Sequence, residues 1–362
     1  MRYIRGVLPM SGGCGCSDNA DPNAIPMLNA STNCCSSDEK EIKKVSTELT
    51  FRDNLGAWKV RWGIGRTNYR VDPGIYAVGD PDENSPVLIS ANYKLTFDTL
   101  RKNLTGLDCW LLILDTKGVN VWCASGKGTF GTDELVKRIK AVGLSDIVKH
   151  RKLILPQLGA SGVCAHEVTK RTGFSVIFGP VRASDIRAFI ADGYKATKEM
   201  RTVKFTLRDR TVLTPVELVL ALERSLLIFG FLFFVNLFVA EPFDLHDVAA
   251  YLGAIFFGTV VTPILLPFIP GRPFAWKGWL TGLCWTVFIL WIFEWFTKDN
   301  WLIAIGYLLL LPSVSAYLTM RFTGSSTYTS PSGVTKEMKV ALPFIVAMSI
   351  IGAAMTLIFK LF

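Results

Sequence analysis

The stretch Cys109–Thr132, CWLLILDTKGVNVWCASGKGTFGT, decides the fold. Its opening run, Cys109–Asp115, is unbroken apolar sequence closed by an acid, the pattern of a strand buried on both faces of a parallel sheet. The remainder is a loop containing Gly and Lys that leads to a helix starting at Thr132. Loops at the carboxyl ends of strands are where open α/β sheets bind ligands, so position alone marks this segment as a ligand loop. Two common ligand loops are excluded. Gly126-Lys127 is followed by Gly128 where a phosphate-binding P-loop has Ser or Thr, and Gly118 stands at the wrong spacing for that loop's first glycine. No G-x-G-x-x-G bridges a strand and a helix, which removes a dinucleotide fold of the usual kind.

Outward from this segment, strands are expected at Lys59–Trp62, Ile75–Val78, Val87–Ser90, Lys152–Leu155 and Ser175–Phe178. Helices are expected at Lys94–Leu104, Thr132–Val142, Val163–Arg171 and Ser184–Ala191, with Thr132-Asp133-Glu134 and Ser184-Asp185 supplying caps and first-turn acids. This alternation predicts a Rossmann-like α/β domain over residues 49–205.

The chain has 362 residues, 50% of them hydrophobic, and the apolar excess falls almost wholly after Pro215. Five segments, Leu222–Ala240, Val248–Ile269, Trp276–Phe296, Trp301–Met320 and Val340–Phe359, are each long enough to cross a bilayer as a tilted helix. Residues 206–362 are therefore expected to be an all-α transmembrane domain, with Trp276, Trp279, Trp295 and Trp301 as interfacial anchors. Lys204, Arg208, Arg210, Arg272, Lys277, Arg321, Lys336 and Lys339 flank one side of these segments, and Lys298 and Lys360 the other. The asymmetry predicts an inner-membrane protein with a cytoplasmic α/β domain and an external carboxyl terminus. Glu294 lies near a segment end, which fits an interfacial position rather than a transport path. The net charge of +9 is scattered rather than clustered, so it points to a membrane rather than to nucleic acid.

Residues 1–48 are rich in Ser, Asn, Asp, Gly and Pro and read as a flexible arm carrying Cys14, Cys16, Cys34 and Cys35. No cleaved targeting segment is expected in it. Those thiols either capture soft metal ions or are a chance cluster. The other four cysteines are Cys109, Cys123, Cys164 and Cys284, and no CxxC spacing repeats, so no iron–sulfur cluster is expected in this chain.

Asn120-Val-Trp-Cys-Ala-Ser-Gly-Lys127 resembles the cap-helix signature of the corrinoid-binding membrane proteins of microbial mercury methylation, N-[V/I]-W-C-A-[A/G]-G-K, with Ser125 at the small-residue position. Asp53–Val71, Ser90–Leu100, Leu155–Val163, Phe178–Ile186 and Gly324–Glu337 also resemble that family. The α/β half is similar as well to the corrinoid domain of the corrinoid iron–sulfur protein large subunit, which lacks the cap cysteine and the five-helix tail. Cys123 is thus the discriminating residue.

The resemblance implies a corrinoid cofactor, with the Cys123 thiolate as lower axial ligand to cobalt and a methyl group passed from methyl-cobalt(III) to Hg(II) to form methylmercury. Hg(II) has no electrons to give, so a strongly donating thiolate trans to the methyl suits its departure as a carbanion or, after reduction, a radical. The amino end of the cap helix and Lys127 favour thiolate character. None of His150, His166 and His246 has the D-x-H-x-x-G context of a histidine lower ligand. Asn120, Val121, Trp122, Ala124, Ser125, Gly126, Gly128 and Thr129 are further candidate corrinoid contacts, although Asn120 and Trp122 equally suit a helix cap and a core aromatic. Gly159, Ala160, Ser161 and Gly162, with Gly179 and Pro180, either admit a wide macrocycle and its nucleotide tail to the strand ends or form ordinary tight turns. Asp115 either caps the loop or holds a corrin amide. Implied partners are a ferredoxin-like protein with two [4Fe–4S] clusters as reductant and a folate-linked methyl donor acting through a methyltransferase. The competing readings are a corrinoid methyl carrier of one-carbon or acetyl-CoA-type metabolism, and a membrane sensor or anchor without enzymatic activity.

Overall fold

The computed structural model describes residues 42–239, 242–297, 300–325 and 331–361. The arm cysteines Cys14, Cys16, Cys34 and Cys35 and the middle of Gly324–Glu337 lie outside the described residues.

The amino-terminal half is a six-stranded sheet in the order β1-β2-β4-β3-β5-β6. The strands are β1 (Lys43–Val45), β2 (Gly74–Val78), β3 (Val87–Ala91), β4 (Cys109–Leu114), β5 (Lys152–Leu155) and β6 (Ser175–Phe178). β3 pairs in parallel with β4 and β5, and β5 with β6, as the continuous apolar runs predict. β2 runs antiparallel to β4, and β1 lies inside the stretch read as an arm. The helices are α1 (Phe51–Arg61), α2 (Lys94–Lys102), α3 (Val121–Lys127), α4 (Thr132–Val142), α5 (Leu144–Ile147), α6 (Ala165–Thr172) and α7 (Ile186–Ala191). α3, α4 and α6 cover one sheet face through Ala124, Leu135, Ile139 and Val168. α2 and α7 cover the other through Phe97, Leu100, Ile186 and Phe189. The parallel strands therefore end together, and their following loops gather at one edge.

Several expectations need correction. Lys59–Trp62 is not a strand: Lys59–Arg61 close α1 and Trp62 is its C-cap. The Val60-to-Trp62 alternation misleads because a capping box at Thr50 and Asp53 has already started a helix; the Asp53 amide donates to Thr50 Oγ1 (3.2 Å) and the Thr50 amide to Asp53 Oδ2 (3.0 Å). The caps of α4 and α7 are also different, since neither Thr132 nor Ser184 caps its helix. Thr132 Oγ1 instead accepts from the Cys164 amide (2.9 Å), joining α4 to the start of α6.

The carboxyl-terminal half holds five helices of membrane-crossing length and composition, Leu207–Val235, Leu245–Leu265, Phe274–Ile292, Trp301–Gly324 and Ser332–Leu361. They comprise α8 (Leu207–Val235), α9 (Leu245–Phe256) continued through a π-helical turn into α10 (Thr262–Leu265), α11 (Phe274–Ile292), α12 (Trp301–Arg321) and α13 (Pro331–Leu361). The first begins fifteen residues before the expected Leu222, because Thr206 and Asp209 form a capping box and Pro215 does not end the helix. Pro215 lacks the N–H that the Thr211 carbonyl needs, and the Thr214 hydroxyl donates to that carbonyl instead (3.0 Å). α12 is the central helix, closely approached by α11 at Gly278 and Gly282 and by α13 at Gly352, where any Cβ would meet backbone or side chain of α12 within 3 Å. Lys360, expected to be a loop charge, is buried 3.1 Å from Asp247, which also accepts a hydrogen bond from the Tyr307 hydroxyl (2.5 Å).

Candidate functional site

The loop from β4 to α3 is held from below by Asn92, which follows β3 and is 1% exposed. Asn92 Oδ1 accepts from the amides of Thr116 (3.1 Å) and Gly118 (3.0 Å), and its Nδ2 donates to Asp115 Oδ1 (3.2 Å). Asp115 also accepts from the Lys117 amide (3.1 Å) and ammonium (2.7 Å), and these contacts hold its carboxyl below the usual range. Asp115 is therefore the loop's cap, one of the two roles open to it from sequence. Asn120 then caps α3, its Oδ1 accepting from the Cys123 amide (2.9 Å), and Gly128 ends the helix in the left-handed region at φ 78°. These bonds fix a two-turn helix at the end of a buried strand, with Cys123 in its first turn, free and partly exposed.

A cleft of about 390 Å³ opens beside α3, across the carboxyl ends of β3, β5 and β6. Of the sequence candidates, Asn120, Val121, Trp122, Gly179 and Pro180 line it. Cys123, Ala124, Ser125, Gly126, Lys127, Gly128 and Thr129 do not; they continue along α3 and its C-cap. Ala160 and Ser161 are exposed beyond it. The space at Gly159 and Gly162 is already taken by protein: a Cβ would meet the Phe130 ring at 2.6 Å in the first and the Phe130 carbonyl at 2.2 Å in the second. These two glycines seat the loop after β5 against α3 and its C-cap.

Sequence inspection missed the opposite wall of the cleft, formed by Tyr93, Leu95, Thr96 and Thr99 at the start of α2. Tyr93 is buried, and its hydroxyl has no hydrogen-bond partner among the described residues. Burial pushes that hydroxyl up, against the nearby Arg66 and Arg61 charges. A buried hydroxyl without a protein partner calls for an ordered water or a ligand atom to satisfy it. Its only sequence signal is its place within Ser90–Leu100.

α2 is itself fixed by four charges. Lys94 bridges Asp53 (2.5 Å) and Asp98 (2.6 Å), and Arg101 bridges the same two carboxylates at 2.8 Å each. Arg101 also donates to the Ser46 and Glu48 carbonyls, which ties the chain before α1 to the helix that walls the cleft. The remaining cysteines differ: Cys109 is fully buried in β4 with its thiol pushed up to about 12 by burial and the neighbouring Asp108, whereas Cys164 and Cys284 are exposed. Among the described residues, no three His, Cys, Asp or Glu side chains converge as a metal site.

Comparison with known proteins points to the same half of the chain. Residues 28–190 match a family model described as CO dehydrogenase/acetyl-CoA synthase delta subunit. The chain is 35% identical over 127 residues to the acetyl-CoA decarbonylase/synthase complex subunit gamma of Methanopyrus kandleri, covering 34% of this chain and 27% of that one. It is 34% identical over 143 residues to the corrinoid/iron-sulfur protein large subunit of Moorella thermoacetica, covering 39% of this chain and 30% of that one. The chain thus spans less than a third of the length of these relatives. The family match ends at residue 190, ahead of α8, so the shared part is the α/β domain and the five apolar helices stand outside it.

Proposed function

We propose that the α/β domain holds a corrinoid across the ends of its parallel strands and that the chain is a membrane-anchored corrinoid methyl carrier. The observation that carries this reading is the cleft between α3 and α2, walled by the first turn of the helix that presents Cys123. Its volume sits at the low end of the ~300–1,000 Å³ usual for small-molecule sites, enough for a nucleotide-like tail but not for a whole macrocycle. Tyr93 contributes to its wall, and Asn120, Trp122 and Pro180 to its rim. The relatives support the same cofactor, since one is by name a corrinoid protein.

When bound, a corrinoid would supply a transferable methyl group. The residues of this chain would hold it: the cleft would anchor the tail, and the capped α3 would present the Cys123 thiolate to the cobalt. For the acceptor we propose Hg(II). A corrinoid held there would have to supply its methyl group together with the bonding electron pair, because Hg(II) brings none, and the Cys123 thiolate, as an electron donor, would favour that direction. Cys123 and the five-helix tail support this acceptor. The relatives' names favour a different one, a thiol or nickel centre of one-carbon metabolism, and this is the second reading. In either case the proposal includes a ferredoxin-like reductant with two [4Fe–4S] clusters and a folate-linked donor working through a methyltransferase. It also places the α/β domain on the cytoplasmic side of the inner membrane, from the distribution of Lys and Arg.

The test is the anaerobic ultraviolet–visible spectrum of detergent-purified protein reconstituted with cobalamin, wild type beside Cys123→Ala, followed by mercury methylation with the reductant present. A bound corrinoid with a thiolate-dependent band lost in the variant, together with lost methylation, supports the proposal. Bound corrinoid with methylation intact in Cys123→Ala removes the cysteine mechanism. Absence of bound corrinoid in both proteins sinks the carrier reading and leaves a sensor or anchor.

A further inference from the structure

The five-helix half carries a second groove, of about 880 Å³, between α11 and α13 with α12 as its floor. Its mouth lies at the end of the bundle where α11 and α13 begin, and bears Arg272 and Lys336, both exposed and neither paired with a carboxylate among the described residues. Glu337 also borders the groove, but Ala275 donates its amide to Glu337 Oε1 (2.7 Å), so that carboxylate is engaged in closing the first turn of α11. Trp276 and Trp279 stack at 5.4 Å beside the mouth, where indoles settle at the headgroup level of a bilayer. Beyond the mouth the wall is apolar and exposed, through Val340, Phe344 and Met348. From Lys336 to Met348 is twelve residues of helix, or about 18 Å of rise, close to the ~15 Å from the edge of a hydrocarbon core to its midplane.

From this geometry we infer that the groove between α11 and α13 is a site for one anionic phospholipid, with its phosphate at Arg272 and Lys336 and an acyl chain lying along Val340, Phe344 and Met348. Two cations at headgroup level above an apolar channel one leaflet deep match the charge and length of such a lipid. The inference is independent of what the α/β domain binds. It is tested by native mass spectrometry of the full chain in detergent with equal amounts of phosphatidylglycerol and phosphatidylcholine. With each cation near the membrane surface worth about 1 kcal/mol, wild type should retain phosphatidylglycerol about tenfold or more over phosphatidylcholine. The double variant R272Q/K336Q should lose that preference, and Ala341→Phe, which fills the groove and leaves the charges, should reduce retention of both lipids. Equal retention by wild type, or an unchanged preference in R272Q/K336Q, overturns the inference. So does a dimer that carries no lipid, which would make a second copy of the chain the occupant.

Discussion

Arg182 donates to the Asp209 carboxylate at 3.0 Å, and this pair joins the cleft to the first turn of the first apolar helix. Arg182 follows the cleft residues Gly179, Pro180 and Val181, while Asp209 Oδ2 also accepts from the amide and hydroxyl of Thr206 as the capping box of α8. One carboxylate therefore serves the wall of the candidate site and the start of a membrane-length helix.

The two functions separate by substitution. The pair is about 40% exposed, so Arg182→Ala should change global stability by no more than about 1 kcal/mol. It should nevertheless raise hydrogen exchange in a peptide spanning 179–186, because that segment loses its tie to α8. Asp209→Ala should do both, adding about 1 kcal/mol for the lost cap. Exchange unchanged in both variants would show that the wall is held by other contacts.

Little of this was legible in the sequence, and the reason is distance along the chain. The strands β3 to β6 and helix α4 declared themselves through local apolar runs and periodicity, which act over a few residues. Arg182 and Asp209 are 27 residues apart, and Asn92 meets its loop 24 to 26 residues on, so no local pattern announces either contact. The α3 wall was found because the Asn120–Lys127 motif carries it, whereas the α2 wall has no motif and was missed. The expected strand at Lys59–Trp62 gives way to a helix whose start signal, the Thr50–Asp53 capping box, lies nine residues upstream.

Asn92 should be among the most sensitive positions in the α/β domain. Asn92→Ala strands the buried amides of Thr116 and Gly118, and each unsatisfied group costs about 1–3 kcal/mol. A loss of about 3 kcal/mol in chemical denaturation of the full chain is expected, with poorer corrinoid retention because α3 loses its support. A change below about 0.5 kcal/mol would mean that water or a shifted loop takes over the two amides.

Asp53 gives a pH dependence of known sign. Burial pushes its carboxyl up, but hydrogen bonds from Lys94 and Thr50 and the Lys94 charge outweigh burial and hold it well below its ordinary 3.8. A depressed carboxylate stabilises the fold in full above that ordinary value, and the contribution is lost as pH falls below it towards the folded-state value. Asp53→Asn should therefore cost about 2 kcal/mol at pH 7, since it removes one partner of a part-buried network of four charges. The gap from wild type should hold down to about pH 4 and narrow below it. A gap that is constant across this range would assign the loss to packing rather than to charge.

Gly126 and Gly162 offer the sharpest test of whether α3 faces a ligand. A Cβ on Gly162 would sit 2.2 Å from the Phe130 carbonyl and 3.1 Å from Ser125 Cα, backbone atoms that cannot swing aside. Gly162→Ala should therefore destabilise the fold by about 2 kcal/mol or more through overpacking, whatever is bound. A Cβ on Gly126 meets nothing within 4 Å, so Gly126→Ala should leave stability unchanged or raise it by up to about 1 kcal/mol, as alanine does in a helix. If a corrinoid lies along α3, the open space over Gly126 is where its ring passes, and Gly126→Ala should lower cobalt retention in a protein that is no less stable. Cobalt retention equal to wild type in that variant would show that the ring does not pass over Gly126.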